Sequence, residues 1–512
     1  MILAVLYFLL FVFLISRLSF FKDDVISLKF IVGILLLKSL GCLAYYWVYF
    51  CYYPPGFNGD SASTLHDAKI MYDALPHHPF DFLKMVFGLH SNLDSDPLYE
   101  PYFKFIEKWG RADITSDFFL NDNRTPIRVN AIIMLISFGN YSVHAFVMLV
   151  LSFVGQFAFY KAFKKYVPKK EMLLAIIIFL TPSILFWTSG ILKEPIAIGL
   201  LGFFVYVFMK LFIEFQFKLK YCLFLIFTLL LFLIIKPYIL LLILIPLILF
   251  ALVKALKIDV YSLKKIIVFY ALALSVIYTG TFFILKFGFQ KDVINTIVVR
   301  QNDFINLSKG GTFFLNGEKY VRFEVNDTTH YKLVDKERML FKFNVHSTFM
   351  YWHINNLRDT IYETNNQDTT LFKFISACGP SGSAISMQRL EYSFASFAKI
   401  IPQSFYNVLC KPFFFDSHSL LELVASVENL CFILFFVFCF IYRSKNRVDI
   451  NLLLFCITLI ITSFVLVGLT TTVMGAIVRY RIPFIPFLLL IPLLFLDINS
   501  LKKIPFINRL VK

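Results

Sequence analysis

Residues 221–253 read YCLFLIFTLLLFLIIKPYILLLILIPLILFALV, and Lys236 is the single charged side chain among them. A membrane-spanning α-helix needs about 20 predominantly apolar residues, so this stretch is long enough for two short spans. The Lys236–Pro237 step separates them, because proline cannot donate the backbone hydrogen bond that a continuing helix requires. The stretch therefore predicts a closely spaced pair of spans with a break at Lys236.

The rest of the 512-residue chain has the same character, with 59% hydrophobic residues, 16% charged residues and 64 Phe. Cytosolic domains contain about 25% charged residues, so an ordinary soluble protein is excluded. The predicted fold class is an all-α polytopic membrane protein with about eleven transmembrane helices. The predicted spans are 2–16, 30–52, 143–160, 172–188, 195–209, 221–235, 239–253, 266–285, 421–442, 450–469 and 483–496.

The formal net charge of +16 comes from 49 Lys and Arg against 33 Asp and Glu. The basic residues concentrate in alternate connections between the predicted spans, as the positive-inside rule requires, so they do not indicate nucleic-acid binding. With eleven spans, all these connections fall on one side. The pattern predicts a bacterial inner-membrane protein with its N-terminus outside and its C-terminus in the cytoplasm.

This topology divides the chain into five parts. Residues 1–53 hold two spans, 54–127 the first extracytoplasmic loop, and 128–286 a transmembrane core of six spans. Residues 287–420 form an extracytoplasmic domain, and 421–512 hold three spans and a basic tail. The second loop alternates like strands at 312–325 and has a helical pattern at 390–409, which is compatible with an α+β domain. Whether Cys378 and Cys410 pair within it stays open.

A few charged side chains break the charge rule, because they lie in short connections on the side opposite the basic loops. An ionisable group at membrane depth is costly, so it usually pairs with another group or lines a functional cavity. The alternative is that each one reaches the interface and does no chemistry. Several cations on one face suit an anionic head group, with Arg as a bidentate phosphate ligand and Lys as a point charge. These charges are Lys193, Glu194, Lys236, Arg479 and Arg481, and Tyr480 lies between the two arginines.

A second group of polar residues follows the second span, at 54–73, PPGFNGDSASTLHDAKIMYD. A helix is predicted to begin at Ser61 or Ser63, either of which can cap it. Asp60 and Asp67 are seven residues apart, so a helix through both would place their carboxylates on one face. A carboxylate opposite phosphate-binding cations has the properties of a general base or acid. The alternative is that Asp60 only caps the helix and Asp67 is solvated.

Three segments resemble known membrane enzymes. An Asp after an early span and a late RYRIPFIPF at 479–487 resemble the C-type glycosyltransferase superfamily, GT-C. The segment PSILFWTSGILKE at 182–194 is similar to segments of surface-polysaccharide polymerases, and the Lys-, Phe- and Ile-rich composition resembles Bacteroidetes proteins. The resemblance implies that Asp60 is the catalytic base and that Arg479 and Arg481 hold the lipid phosphate. The chain departs from the family in that its Asp follows the second span and it has no Asp-x-Asp metal motif.

These observations predict a membrane glycosyltransferase that moves a sugar from a polyprenyl-phosphate-linked donor to a glycan or lipid acceptor on the extracytoplasmic face. A polymerase of lipid-linked polysaccharide repeats needs nearly the same parts and stays an alternative. A lipid-carrier transporter would show inverted repeats and charges near mid-span, and a structural subunit of an envelope assembly would dock through 287–420. The expected partners are the donor, the acceptor and the lipid bilayer.

Each site residue has an expected role in this reaction. Asp60 and Asp67 would activate the acceptor hydroxyl, and the cations would stabilise the phosphate leaving group as its charge develops. No metal ligand is assigned, because His66 with scattered carboxylates is weak support for one, although a divalent cation stays possible. The expected phosphate-binding residues are Lys193, Lys236, Arg479 and Arg481, supported by Glu194 and Tyr480.

Overall fold

The structure is a computed structural model, and it describes residues 2–53, 60–89, 96–106, 124–288, 292–316, 319–323, 328–336, 339–344, 348–353, 356–363, 370–444 and 448–501. The first half of the chain contributes helices α1 Ile2–Arg17, α2 Leu28–Trp47, α3 Asp60–Asp73, α4 Pro79–Phe87, α5 Arg124–Ser137, α6 Tyr141–Phe163, α7 Glu171–Leu180, α8 Pro182–Trp187, α9 Lys193–Phe208 and α10 Leu219–Ile235. The second half contributes α11 Pro237–Ala255, α12 Leu263–Phe283, α13 Val293–Ser308, α14 Phe394–Cys410, α15 Leu420–Ile441, α16 Ile450–Thr470, α17 Met474–Tyr480, α18 Ile485–Phe495 and α19 Ile498–Leu501.

Eight of the described helical segments are long and apolar enough to cross a membrane. They are α2 with its π-helical extension to Tyr52, α6 with its extension to Tyr166, α9 with its extension to Ile213, α11, α12, α15, α16 and the α17–α18 pair. Shorter apolar helices, α1, α7 and α10, coincide with three other predicted spans. A polytopic helical membrane protein is thus confirmed. The number of eleven spans stays a prediction, because these three helices have only 16, 10 and 17 residues.

The basic connections meet at one end of the helix bundle. This end, which we call the basic face, is formed by residues 18–27, 164–170, 214–218, 256–262, 442–444 and 448–449. The opposite end, which we call the distal face, carries residues 48–53, 236 and 471–473, and the buried connection 188–192 leads toward it from the level of Lys38 in α2. The contacts that join the basic connections are Lys164 Nζ to Asp23 Oδ2 (2.7 Å), Lys165 Nζ to Glu214 Oε1 (2.5 Å), Lys170 Nζ to the Leu493 carbonyl (2.8 Å) and Ile450 N to the Val260 carbonyl (3.0 Å).

Two breaks interrupt the helices, one inside the predicted span 172–188 and one between the predicted spans 221–235 and 239–253. The predicted span 172–188 is two helices in the structure, because α7 ends at Leu180 and Pro182 begins α8 in the position where proline is tolerated. Residues 188–192 then connect α8 to α9 without helical structure. At the other break, Lys236 alone separates α10 from α11.

Helices α6 and α9 pack closely in the centre of the bundle through glycine. A Cβ added at Gly155 would lie 2.2 Å from the Gly199 carbonyl oxygen, and one at Gly202 would lie 1.8 Å from the Gly155 carbonyl oxygen. Small residues allow membrane helices to approach this closely, which increases their van der Waals contact. This contact fixes α9, whose first turn carries Glu194.

The region after α12 contains α13, a seven-stranded antiparallel sheet and α14. The alternation at 312–325 corresponds to β1 and β2, which pair with Thr312 opposite Phe323. The strand order is β3-β4-β7-β1-β2-β5-β6. The strands are β1 Gly311–Asn316, β2 Lys319–Phe323, β3 Tyr331–Asp335, β4 Leu340–Phe343, β5 Thr348–His353, β6 Asn356–Glu363 and β7 Leu371–Cys378. Cys410, at the end of α14, is a free thiol.

The chain that leaves the sheet is attached to the segment before α17. Ile385 N donates to the Thr472 carbonyl at 2.7 Å, and Met474 N donates to the Ser383 carbonyl at 2.8 Å. Because α17 begins at Met474, these bonds couple the sheet region to the helix that carries Arg479. The sheet region is therefore anchored beside the distal face, and its position outside the cytoplasm stays a prediction.

Substituting Gly202 by Ala tests the α6–α9 contact. The added Cβ would force the two backbones apart, and overpacking of this kind costs about 1–3 kcal/mol, so the melting temperature of the purified protein should fall. Gly280→Ala in α12 is the matched control, because beyond its chain neighbours and the nearby backbone of α12 no described atom lies within 4 Å of the Cβ it would add. Thermal unfolding followed by intrinsic fluorescence compares the two variants. Equal melting temperatures would contradict the packing described here.

Candidate functional site: an ion-paired cluster at the distal face

Four charged side chains from distant parts of the sequence meet at the distal face. Asp60 begins α3, Glu194 is the second residue of α9, Lys236 lies between α10 and α11, and Arg479 lies in the last turn of α17. Each stands at a helix end or break, where the chain reaches the boundary of the apolar bundle. We call these four residues the charged cluster.

Glu194 is the centre of the charged cluster. Its Oε1 accepts a hydrogen bond from Lys236 Nζ at 2.8 Å, and its Oε2 accepts one from Arg479 Nη2 at 2.9 Å. Arg479 Nη1 donates to Asp60 Oδ2 at 2.6 Å. The guanidinium thus bridges two carboxylates, and Glu194 bridges two cations.

Exposure changes steadily across the charged cluster. The side chains of Glu194 and Lys236 are 1% and 6% exposed, Arg479 is 17% exposed, and Asp60 is 44% exposed. Two carboxylates and two cations give the cluster no net charge, which makes the burial of Glu194 tolerable in an apolar bundle. Asp60 is consequently the member that a molecule approaching from the distal face would meet first.

Aromatic side chains surround the cations of the cluster. The Arg479 guanidinium lies 5.6 Å from the centre of the Trp187 ring, and Lys236 Nζ lies 5.3 Å from the centre of the Tyr480 ring. Cations are attracted to the faces of such rings. Tyr480 is also in edge contact with Phe304 of α13, with 6.2 Å between the ring centres. The aromatic side chains therefore continue from the cations toward the sheet region.

The start of α3 is tied to the bundle next to the charged cluster. Ser61 Oγ donates to the Ile191 carbonyl at 3.0 Å and lies 3.0 Å from the Tyr45 hydroxyl. A Cβ at Gly190 would lie 2.7 Å from the Tyr45 ring, so glycine allows the 188–192 connection to pass this close. Ser61 therefore positions Asp60 relative to Glu194.

Arg481 lies outside the charged cluster, although the sequence groups it with Arg479. The two are separated by about 200° around a helix, so their side chains leave in nearly opposite directions. Arg481 is buried and donates to the Val408 carbonyl at 3.0 Å and to Asn429 Oδ1 at 2.6 Å. Glu428 Oε2 lies 4.0 Å from its Nη2. These contacts connect α14 and α15, so the structure separates the roles that the sequence assigns to the two arginines.

Asp67 and Lys193 are near the charged cluster in the sequence but are not members of it. Asp67 is fully buried and 3.3 Å from His66 Nδ1, and a separation of seven residues places it about 10 Å along the helix from Asp60. Lys193 begins α9 and is partly buried, one residue before Glu194. Asp60 is thus the exposed carboxylate of α3 at the cluster, whereas Asp67 is enclosed.

Lys38 is a buried cation that is absent from the sequence-based candidates. It lies in the middle of α2, and its Nζ donates to Thr188 Oγ1 at 2.6 Å and to Gln156 Oε1 at 3.1 Å. A lysine inside the apolar run 30–52 is a signal that could have identified it, because charges within spans are usually functional or paired. Thr188 begins the connection that leads to Glu194, so Lys38 supports the charged cluster from inside the bundle.

Among the described residues, no group of three or more His, Cys, Asp and Glu side chains is arranged to hold a metal ion. The fold and the charged cluster define a class of protein: a polytopic helical membrane protein with an ion-pair network at one boundary of the bundle. Comparisons with known protein families, with curated proteins and with solved structures find no match for this chain.

Substitutions in the charged cluster should have unequal effects on stability. Glu194→Gln leaves both Lys236 and Arg479 without this carboxylate, and breaking a buried ion pair costs about 3–5 kcal/mol. Lys236→Met should be milder, because Glu194 keeps Arg479 as its partner. Thermal unfolding of the purified variants measures this order.

Lys69→Met is the control for this series. Lys69 forms an exposed ion pair with Asp73 on α3, and exposed pairs contribute only about 0–1 kcal/mol. Its melting temperature should stay close to that of the wild type. A Glu194→Gln protein as stable as the control would show that the cluster is not held by ion pairing.

Proposed function

We propose that the protein is a membrane glycosyltransferase of the GT-C type, which transfers a sugar from a polyprenyl-phosphate-linked donor to a glycan or lipid acceptor. The observation that carries the proposal is the half-exposed Asp60 carboxylate held 2.6 Å from the Arg479 guanidinium at one boundary of the bundle. A base for the acceptor and a cation for the leaving phosphate are the two groups that this reaction needs. The resemblance of 479–487 to such enzymes supports the same assignment, and the resemblance of 182–194 to surface-polysaccharide polymerases supports the alternative form of the reaction.

The ion pair suggests how donor binding prepares the base. A donor phosphate entering from the distal face would compete with Asp60 for Arg479 Nη1, while the buried Glu194 keeps Arg479 Nη2. Displacement from Arg479 Nη1 would let Asp60 Oδ2 accept a hydrogen bond from the acceptor hydroxyl. Because Glu194 is fixed by Lys236, the guanidinium would stay in place during this exchange.

The transfer step balances with these groups. The acceptor hydroxyl oxygen attacks the anomeric carbon of the donor sugar, and its proton passes to the Asp60 carboxylate. The bond between the anomeric carbon and the phosphate oxygen breaks, and the polyprenyl phosphate leaves with the electron pair. Arg479 and Lys236 would stabilise the charge that develops on the leaving phosphate, which is where preorganised cations lower a barrier.

The proposal places the chain in a bacterial inner membrane with the basic face in the cytoplasm. The lysine-rich connections gather at one end of the bundle, and the positive-inside rule assigns such an end to the cytoplasm. The charged cluster then opens to the extracytoplasmic side, where lipid-linked sugars are used by this type of enzyme. The sheet region would lie on the same side and would be available to contact an acceptor or a partner subunit.

A lipid-carrier transporter is the second candidate, and Lys38 is the observation that favours it. Transporters place charges near the middle of the membrane, and Lys38 is buried at mid-helix in α2 with neutral partners. Such a protein would move a lipid-linked saccharide without changing it. Its loss would leave the saccharide intact on the cytoplasmic side.

Asp60→Asn tests the glycosyltransferase proposal. In cells that lack the protein, we expect lipid-linked saccharides to accumulate, and Asp60→Asn should fail to clear them because the amide cannot accept the proton. Mass spectrometry of polyprenyl-linked saccharides and of surface glycan measures the effect, at membrane levels matched by immunoblot. Accumulation of complete oligosaccharide repeats, rather than of a single linked sugar, would identify the polymerase form of the reaction.

Asp73→Asn is the matched control, because Asp73 is an exposed carboxylate at the other end of α3. It should restore wild-type glycan. Restoration by Asp60→Asn as well would exclude Asp60 as the base. Unchanged glycan and precursors in the null strain would reject sugar transfer altogether, and intact precursors confined to the cytoplasmic leaflet would favour the transporter.

A further inference from the structure

A second charged site lies on the basic face, at the end of the bundle opposite the charged cluster. It is an open pocket of about 510 Å³ between the α1–α2 connection, α6 and the end of α9. Four lysines and two aspartates line it: Lys22, Lys161, Lys164, Lys210, Asp23 and Asp24. We call it the lysine pocket.

Asp23 gives the lysine pocket its shape. Its buried Oδ1 accepts hydrogen bonds from Val25 N at 3.0 Å and from the Tyr160 hydroxyl at 3.2 Å, so it fixes the α1–α2 connection against α6. Its Oδ2 accepts a hydrogen bond from Lys164 at 2.7 Å. The same lysine donates a hydrogen bond to Asp24 Oδ1 at 2.7 Å, which lowers the pKa of the Asp24 carboxyl. Both aspartates are thus satisfied by the protein itself.

The lysines outnumber the carboxylates around the pocket. Glu214, just outside it, accepts hydrogen bonds from both Lys165 at 2.5 Å and Lys210 at 2.6 Å. In and beside the pocket there are five lysines and three carboxylates, so two positive charges are left over. The lysines are Lys22, Lys161, Lys164, Lys165 and Lys210, and the carboxylates are Asp23, Asp24 and Glu214.

Lys161 and Lys22 supply this excess charge. The Lys161 ammonium donates to the Phe20 carbonyl and lies over the rings of Phe20 and Phe157, at 4.8 and 5.5 Å from their centres. It makes no ion pair within the described part of the chain. Lys22 is exposed at the rim of the pocket. A cation that is fixed inside a concave site without an ion pair of its own is an anion-binding feature.

Apolar rings continue from the lysine pocket along the outside of the bundle. The Phe20 ring stacks on Phe203 at 6.2 Å, and Phe203 lies 6.1 Å from Phe224 of α10. Phe224 and Leu18 are each about half exposed. A ligand with an anionic head and an apolar tail would match this arrangement, whereas a soluble phosphate would use only the pocket.

We propose that the lysine pocket binds the phosphate headgroup of an anionic phospholipid, with Lys161 and Lys22 as its ligands. The acyl chains lie along Phe203 and Phe224. Basic pockets at the ends of transmembrane helices bind anionic headgroups in this manner, because the lysines replace the counterions of the phosphate. The bound lipid would join the α1–α2 connection to α6 and α9. The pocket does not depend on the proposed sugar transfer, since it lies at the other end of the bundle.

The test uses the full-length protein purified in a neutral detergent and titrated with phosphatidylglycerol or with phosphatidylcholine. Native mass spectrometry counts the bound lipid, and thermal unfolding reports the stabilisation that a ligand of the folded state produces. We expect phosphatidylglycerol to be retained and to raise the melting temperature, with phosphatidylcholine much weaker. Equal retention of the two lipids would overturn the proposal.

Lys22→Gln/Lys161→Gln is the informative variant. Each basic residue near an anionic lipid contributes roughly a fivefold gain in affinity, so the double variant should bind phosphatidylglycerol about 30-fold more weakly. The matched control is Lys264→Gln/Lys265→Gln, which removes two exposed lysines of α12. It should bind like the wild type. Equal losses in the two double variants would show general surface attraction and would overturn the pocket assignment.

Two further measurements complete the test. Lys161→Arg keeps the charge and should retain binding, so failure of this variant in a folded protein would remove Lys161 as a ligand. Free glycerol phosphate supplies the same anion without the chains and should neither raise the melting temperature nor displace the lipid. If glycerol phosphate raised the melting temperature and displaced the lipid at the same concentration as phosphatidylglycerol, the ligand of the pocket would be a soluble phosphate and not a phospholipid.

Discussion

The carboxylate of Glu194 is the interaction on which the distal half of this structure depends. It is buried in an apolar bundle, where an unpaired charge would be very costly, and it is neutralised by two cations that come from other helices. Lys236 joins it to the break between α10 and α11, and Arg479 joins it to α17. Because Arg479 also binds Asp60, the same network fixes the first residue of α3. Three separate parts of the bundle therefore converge on one side chain.

Two other buried cations, Lys38 and Arg481, are held by hydrogen bonds to neutral acceptors. Lys38 donates to an amide and a hydroxyl, and Arg481 donates to backbone carbonyls and to Asn429. These acceptors hold helices together, and the carboxylate beside Arg481, that of Glu428, is buried. The contrast distinguishes the charged cluster, where Asp60 is half exposed and shares its cation with Glu194, from positions whose charged groups are buried inside the bundle.

Close backbone contacts make the cluster possible. Gly155, Gly199 and Gly202 allow α6 and α9 to pack closely, and Gly190 allows the connection before α9 to pass Tyr45. Larger side chains at these positions would move the first turn of α9, and Glu194 with it. The hydrogen bonds between 383–385 and 472–474 act similarly on the other side, since they couple the sheet region to α17. Contacts between uncharged backbone segments thus determine where the charged side chains meet.

The sequence by itself determined that the chain is a polytopic helical membrane protein, because apolar composition and the length of apolar runs suffice for that conclusion. It also identified Glu194, Lys236 and Arg479 as unusual, since they are charges in short connections on the side opposite the basic loops, and it identified Asp60 as a carboxylate at the start of a helix after the second span. Sequence could not show that Glu194 is the centre of the network, because its partners lie 42 and 285 residues away.

Only the tertiary structure separated Arg479 from Arg481, enclosed Asp67, and revealed Lys38. The pattern of residues in the sequence shows which side chains share a face of a helix. It does not show which other helix packs against that face. The partner of a buried charge is decided by that packing, because it depends on which backbones can approach closely enough for a hydrogen bond.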